Sequence, residues 1–128
     1  TDRQRRIYAA DSMGPPIQVF DRKGLFINSF GVRGDSNDNL SYPAGMFVDR
    51  NEQLWVVDRL RHNLRVFDHS GKPVRSFGVY GQGEGQLFHP IDIAGDSLGR
   101  IYVLEYGSRR LQAFRLGRPN EPFSAFQM

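Results

Sequence analysis

The 128-residue chain contains no cysteine, only two lysines (Lys23 and Lys72), and no long apolar run. Without cysteine there is no disulfide scaffold, no thiolate metal site, no cysteine nucleophile and no covalently attached haem. A membrane-spanning helix needs about 18 consecutive apolar residues, and no stretch approaches that. Nor does any window hold a 3.6-residue apolar period over ten residues, so no long amphipathic helix is expected. Excess charge is also scarce: 17 Lys and Arg stand against 14 Asp and Glu, a formal net charge of +3, which is a weak cue to a polyanionic partner.

What the sequence does contain is a repeat. Ile17-Gln18-Val19-Phe20-Asp21 recurs as Leu64-Arg65-Val66-Phe67-Asp68 and again as Leu111-Gln112-Ala113-Phe114, each step being 47 residues. The same offset carries Ser29-Phe30-Gly31-Val32 to Ser76-Phe77-Gly78-Val79, Leu40 to Leu87, Pro43 to Pro90 and Asp49 to Asp96. Over positions 17–49, 12 of 33 residues equal their partners, where ordinary composition gives about 2. Within one repeat, Leu54–Val57, Leu64–Phe67 and Val74–Phe77 are short β-branched and aromatic segments bounded by turn formers. A fourth segment follows Pro43 or Pro90, and proline, which cannot donate to a ladder, suits a strand entrance. Four short strands per repeat predict an all-β chain of four-stranded antiparallel blades repeated radially, a β-propeller.

The glycines Gly78, Gly81, Gly83 and Gly85, then Gln86-Leu87, Pro90, an apolar strand, Asp96, Gly99, Ile101 to Glu105 and Leu111 to Phe114 resemble an NHL repeat. Glu105 stands where aspartate is usual, Asp92 where Gly45 stands one repeat earlier, and Asn51-Glu52 lacks the turn glycine present at Gly99. The resemblance implies an incomplete ring, from a propeller most often six-bladed, used as a binding platform. With strands lettered A to D from the inside outward, the 128 residues hold about 2.7 repeats. Residues 1–30 are expected to form a blade lacking its innermost strand, 44–77 a complete blade, and 91–126 a third. Bacterial relatives of this pattern are often exported, which favours a periplasmic or extracellular setting.

Several constellations bear on chemistry. Gly81, Gly83 and Gly85 imitate a phosphate loop, but a strand follows them instead of the helix whose N-terminus would receive the anion, so no nucleotide is expected. Peptide-amidating lyases, propellers of similar repeat pattern, use histidine-bound zinc. Here the antiparallel alternation puts His62 and His89 on one loop face and His69 on the other, and His89 precedes its proline where that pattern places histidine after it. No metal, cofactor or catalytic residue is therefore expected, and the chain reads as no enzyme. Asp11, Asp58 and Glu105 share a repeat position and are read as structural acceptors for loop N–H groups, as Pro43 and Pro90 are structural at strand entrances. Tyr8, Trp55, Tyr102, Phe20, Phe67 and Phe114 are read as packing between blades.

The face carrying the B–C and D–A loops has five arginines (Arg33, Arg59, Arg61, Arg109, Arg110) against six carboxylates (Asp11, Asp35, Asp38, Asp58, Glu84, Glu105). The opposite face has seven cations against five carboxylates. Neither is the footprint phosphate binding requires, so RNA is disfavoured. Arg59, Arg61, His62, Arg109 and Arg110 form a cluster suited to a protein partner, and Asp92, on an innermost strand, is a candidate channel carboxylate. The expected function is non-catalytic binding, as a scaffold or accessory subunit contacting protein partners or the remainder of its own propeller. An RNA platform and a propeller lyase or hydrolase are the alternatives.

Overall fold

A computed structural model describes residues 1–11, 13–32 and 40–115, together with the backbone of Ser124–Phe126. One turn device sets the strand lengths. Asp2, Asp21, Asp49, Asp68 and Asp96 each accept, through Oδ1, the backbone N–H groups two and four residues ahead, at 2.8–3.0 Å. The residue three ahead is left-handed: Arg5 (φ 60°), Gly24 (86°), Glu52 (61°), Gly71 (90°) and Gly99 (81°). Asp is suited to such a position because its short carboxylate reaches its own turn. The missing turn glycine at Asn51-Glu52 therefore leaves the turn unchanged in shape, with Glu52 held in a conformation that costs an L-residue about 1 kcal/mol.

Between these turns lie β1 (Ile7–Ala10), β2 (Ile17–Phe20), β3 (Phe26–Phe30), β4 (Pro43–Val48), β5 (Leu54–Asp58), β6 (Asn63–Phe67), β7 (Pro73–Phe77), β8 (Pro90–Gly95), β9 (Arg100–Glu105), β10 (Arg110–Arg115) and β11 (Ser124–Phe126). They form three antiparallel sheets, ordered β1-β2-β3, β4-β5-β6-β7 and β8-β9-β10-β11. The register slips between Pro43 and Gly45 and again between Pro90 and Asp92, as expected where a residue without an N–H enters a ladder.

The two central strands of the middle sheet, β5 and β6, are buried on both sides. Leu54, Val56 and Phe67 turn toward the first sheet and meet Ile17, Leu40, Tyr8 and Phe30. Trp55, Val57, Leu64 and Val66 turn toward the third and meet Leu87, Ile93, Ile101, Val103 and Phe114. This is why Leu54 to Val57 is a continuous apolar run and not an alternating one. The corresponding positions on the far side of the third sheet, Leu104 and Leu111, are exposed. Leu40 and Leu87, from the loops that join the sheets, plug the two seams and lie against Gly31 and Gly78, whose φ values of 84° and 92° and missing Cβ make room.

The recurring aromatics do more than pack. Trp55 Nε1 donates to Asp49 Oδ2 at 2.8 Å, Tyr8 Oη to Asp2 Oδ2 at 3.0 Å and Tyr102 Oη to Asp96 Oδ2 at 3.2 Å. Each ties a core strand to the turn aspartate that precedes it. Burial pushes the Asp2 carboxyl up, but the Arg6 backbone and guanidinium and the Tyr8 hydroxyl outweigh it and hold it below the usual range. Burial, then the bond to Asp2, pushes Tyr8 up to about 12.

Asp92 lies on the exposed side of the inner strand β8, its Oδ1 accepting the Ile93 N–H at 2.9 Å. It fills the space left by Gly45 on the neighbouring inner strand. A Cβ at Gly45 would stand 2.8 Å from the Asp92 Cα and 2.6 Å from its Oδ1. The glycine-to-aspartate difference between repeats is thus a complementary pair. Gly45→Ala forces backbone apart from backbone and is expected to destabilise by about 2 kcal/mol, measurable by urea denaturation. Gly45→Ala combined with Asp92→Gly should recover part of that loss, and no recovery would refute the pairing.

Candidate functional site

The turns 11–16, 59–62 and 106–109 and the loop 78–89 lie at one end of the sheets. Their geometry starts from the carboxylates. Asp58 and Glu105 are fully buried. Asp58 accepts from the N–H groups of Ser41 (2.7 Å), Tyr42 (3.0 Å) and Arg61 (3.3 Å). Two of these partners, Ser41 and Tyr42, immediately precede Pro43, to which Asp58 is opposed in the ladder, so the carboxylate supplies bonds where proline interrupts them. Asp11 does the local version, accepting from Met13, Gly14 and the Gln18 amide.

In the third sheet this pattern is rewired. Glu105 still accepts the Phe88 N–H at 2.9 Å, but the His89 N–H donates instead to His62 Nδ1, also at 2.9 Å. His89 adopts a left-handed φ of 49°, whereas Tyr42, its repeat counterpart, does not. His62 (φ 55°) and Arg109 (φ 52°) occupy the same turn position one repeat apart. Such backbones are uncommon outside glycine and gather at functional sites. Around His62 stand Tyr80 at 4.6 Å, His89 at 4.6 Å and Phe88 at 6.0 Å between ring centroids. Burial, then the neighbouring His89, lowers the His62 pKa, while Asp58 works in the opposite direction.

The cations expected to meet a partner separate into two kinds. Arg110 is committed within the chain: Nε pairs with Glu105 Oε2 at 2.6 Å, and the guanidinium also donates to the carbonyls of Gln82, Gly83 and Gln86 at 2.8–2.9 Å. It organises the glycine run of the 78–89 loop. Arg109 is exposed, Arg59 is half-buried with its guanidinium 6.0 Å from the Tyr106 ring centroid, and Arg61 is half-buried on the same turn as His62. Leu60, Tyr80 and Tyr106 are 58%, 62% and 67% exposed beside them. Sequence reasoning did not single out Tyr80, Phe88 or Tyr106; the available signal was the break in the repeat where Ser41-Tyr42 becomes Phe88-His89. Arg33, Asp35 and Asp38 lie outside the described residues.

His69 sits apart from the other two histidines, in a crevice of about 290 Å³ at the opposite end with Arg3, Gln4, Arg6 and Glu52. Among the described residues no group of three His, Asp or Glu side chains is placed to hold a metal ion.

No protein-family profile and no curated protein sequence matches the chain. Solved structures do. A streptogramin B lyase superposes with a TM-score of 0.70 over 100% of the chain at 11% identity. A catalytically inactive histidine-to-alanine variant of virginiamycin B lyase from Staphylococcus aureus, with quinupristin, superposes with a TM-score of 0.55 over 91% at 16% identity. The chain spans 39% and 40% of these two chains, about two fifths of each. The all-β architecture of antiparallel sheets therefore matches that of a β-propeller. The comparison also corrects the expectation that the chain is no enzyme: the propellers it superposes on are lyases, so the fold gives no ground for excluding catalysis.

Proposed function

We propose that the chain is a segment of an NHL-type, six-bladed propeller, with blades at 1–30, 44–77 and 91–126, that binds an acidic protein partner through the 59–62 and 106–109 turns and the 78–89 loop. One observation carries this reading. The tally of arginines against carboxylates on that face is nearly neutral, yet Asp58 and Glu105 are buried and Asp11 is bonded to its own turn. Arg59 and Arg109, in contrast, stand among exposed Leu60, Tyr80 and Tyr106. Arginine interleaved with aromatic side chains is the composition of an interface centre.

The test places a photo-crosslinking amino acid at Leu60, or at exposed Leu98 on the opposite end, in the full-length polypeptide. Cross-links to a partner are expected from position 60 and not from 98, and Arg59→Glu with Arg109→Glu should abolish them. Cross-links from 60 that survive the double substitution would refute the surface.

A second reading, a propeller lyase, is favoured by the fold neighbours, one of which is inactivated by loss of a single histidine. Here His62 and His89 are the histidines brought together. Incubation of the full-length polypeptide with quinupristin, followed by chromatography, tests it: consumption that disappears in His62→Ala supports a lyase, and no consumption rejects this substrate.

A further inference from the structure

We infer that the His62–His89 contact is a proton-operated latch that sets the conformation of the 78–89 loop, and so, on the partner-face reading above, regulates that face. The repeat itself supplies the two states. In the second sheet the N–H before the strand-entrance proline goes to the buried carboxylate, with an ordinary φ at Tyr42. In the third it is turned away, to His62 Nδ1, with His89 left-handed. A residue before proline is already restricted, so this conformation persists only while something holds it. The holder is one acceptor nitrogen, which must carry a lone pair. A proton on Nδ1 turns the acceptor into a donor, leaves the His89 N–H facing a cation, and releases His89 toward the arrangement that Tyr42 shows.

The charged and titratable groups facing the His62 ring are Asp58 from the end of β5 and Tyr80 and His89 from the loop; Arg61 is its chain neighbour. His89 Nδ1 is buried and has no hydrogen-bond partner among the described residues, so the only imidazole nitrogen bonded across this contact is His62 Nδ1. With His62 lowered by burial and by His89, the unfolded or unlatched chain binds the proton more readily than the latched one. The latch is therefore complete above the ordinary histidine value of about 6.5 and is lost as pH falls through that value toward the lower latched one.

Hydrogen exchange of the 78–89 segment in the full-length polypeptide, corrected for the intrinsic pH dependence, tests this directly. At pH 8 the His89 amide should be protected about tenfold more than at pH 5.5, the scale of one lost hydrogen bond. His62→Phe keeps a ring but no acceptor and should be unprotected at both pH values. His62→Gln offers an acceptor that does not titrate and should remain protected at both. Equal wild-type protection at the two pH values, or a pH dependence that survives in His62→Phe, overturns the latch. If exchange switches as expected while cross-linking from Leu60 is indifferent to pH, the latch stands and the partner-face reading falls.

Discussion

Replacing Trp55 with alanine is expected to lower the unfolding free energy by about 4 kcal/mol, toward the upper end for a buried aromatic. Trp55 is 1% exposed at the seam between the second and third sheets. Its ring stacks on Phe77 at 5.4 Å with 6° between planes and on Phe47 at 6.0 Å with 19°, and its Nε1 holds Asp49. Truncation opens a cavity, strands two aromatic faces and frees one oxygen of the turn aspartate. Trp55→Phe separates these terms. It keeps most of the stack and loses the bond to Asp49, which still accepts from Asn51 and Gln53, so about 1 to 2 kcal/mol is expected. Chemical denaturation followed by far-ultraviolet circular dichroism measures both, since removing the tryptophan removes its fluorescence. A Trp55→Ala loss no larger than that of Trp55→Phe would show that the seam does not depend on the ring.

Arg110→Ala carries the second large effect, about 3 kcal/mol. The Glu105 side chain is 0% exposed, and Arg110, 27% exposed, is the cation paired with it, through a 2.6 Å contact. Without the guanidinium, Glu105 retains the Phe88 N–H, the Ser108 hydroxyl and the Gln112 amide but no counter-charge, and three loop carbonyls each lose a bond, with Gly83 left to the Gln86 N–H and Gln86 to the Gln112 amide. Arg110→Lys should recover less than half of the loss, because a single ammonium cannot span a carboxylate and three carbonyls held by a planar fork. Urea midpoints together with exchange protection of the 81–86 glycine run report this. Full recovery by lysine would mean that charge alone, and not the fork, organises the loop.

These two residues show how unevenly the molecule was legible. Trp55 announces itself, because it shares a 47-residue offset with Tyr102 and Tyr8 and sits in an apolar run. Arg110 reads in the sequence as one of the loop cations that would meet a partner; nothing in its neighbours reveals that it reaches Gln82 and Gly83, 28 and 27 residues earlier. The carboxylates misled in the same way. Counted along the chain, Asp58 and Glu105 neutralise the loop face, whereas in space they are buried beneath it. The same reasoning that excluded an enzyme from histidine placement separated His69 correctly from the other two, but could not exclude catalysis in a fold shared with lyases.

The sequence by itself determined the strands, their turns and their radial repetition, because each depends on residues within a few positions of one another: turn formers such as the aspartate that binds N–H groups two and four ahead, a proline at a strand entrance, a short run of β-branched and aromatic residues. Those interactions translate unchanged every 47 residues and so leave a period that can be read. Only the tertiary structure decided which polar groups face inward, that Asp92 fits the space of Gly45, and that His89 abandons its own sheet's carboxylate for His62. Each of these joins different repeats, and its partner is chosen by backbone angle and seam geometry, which no local pattern encodes.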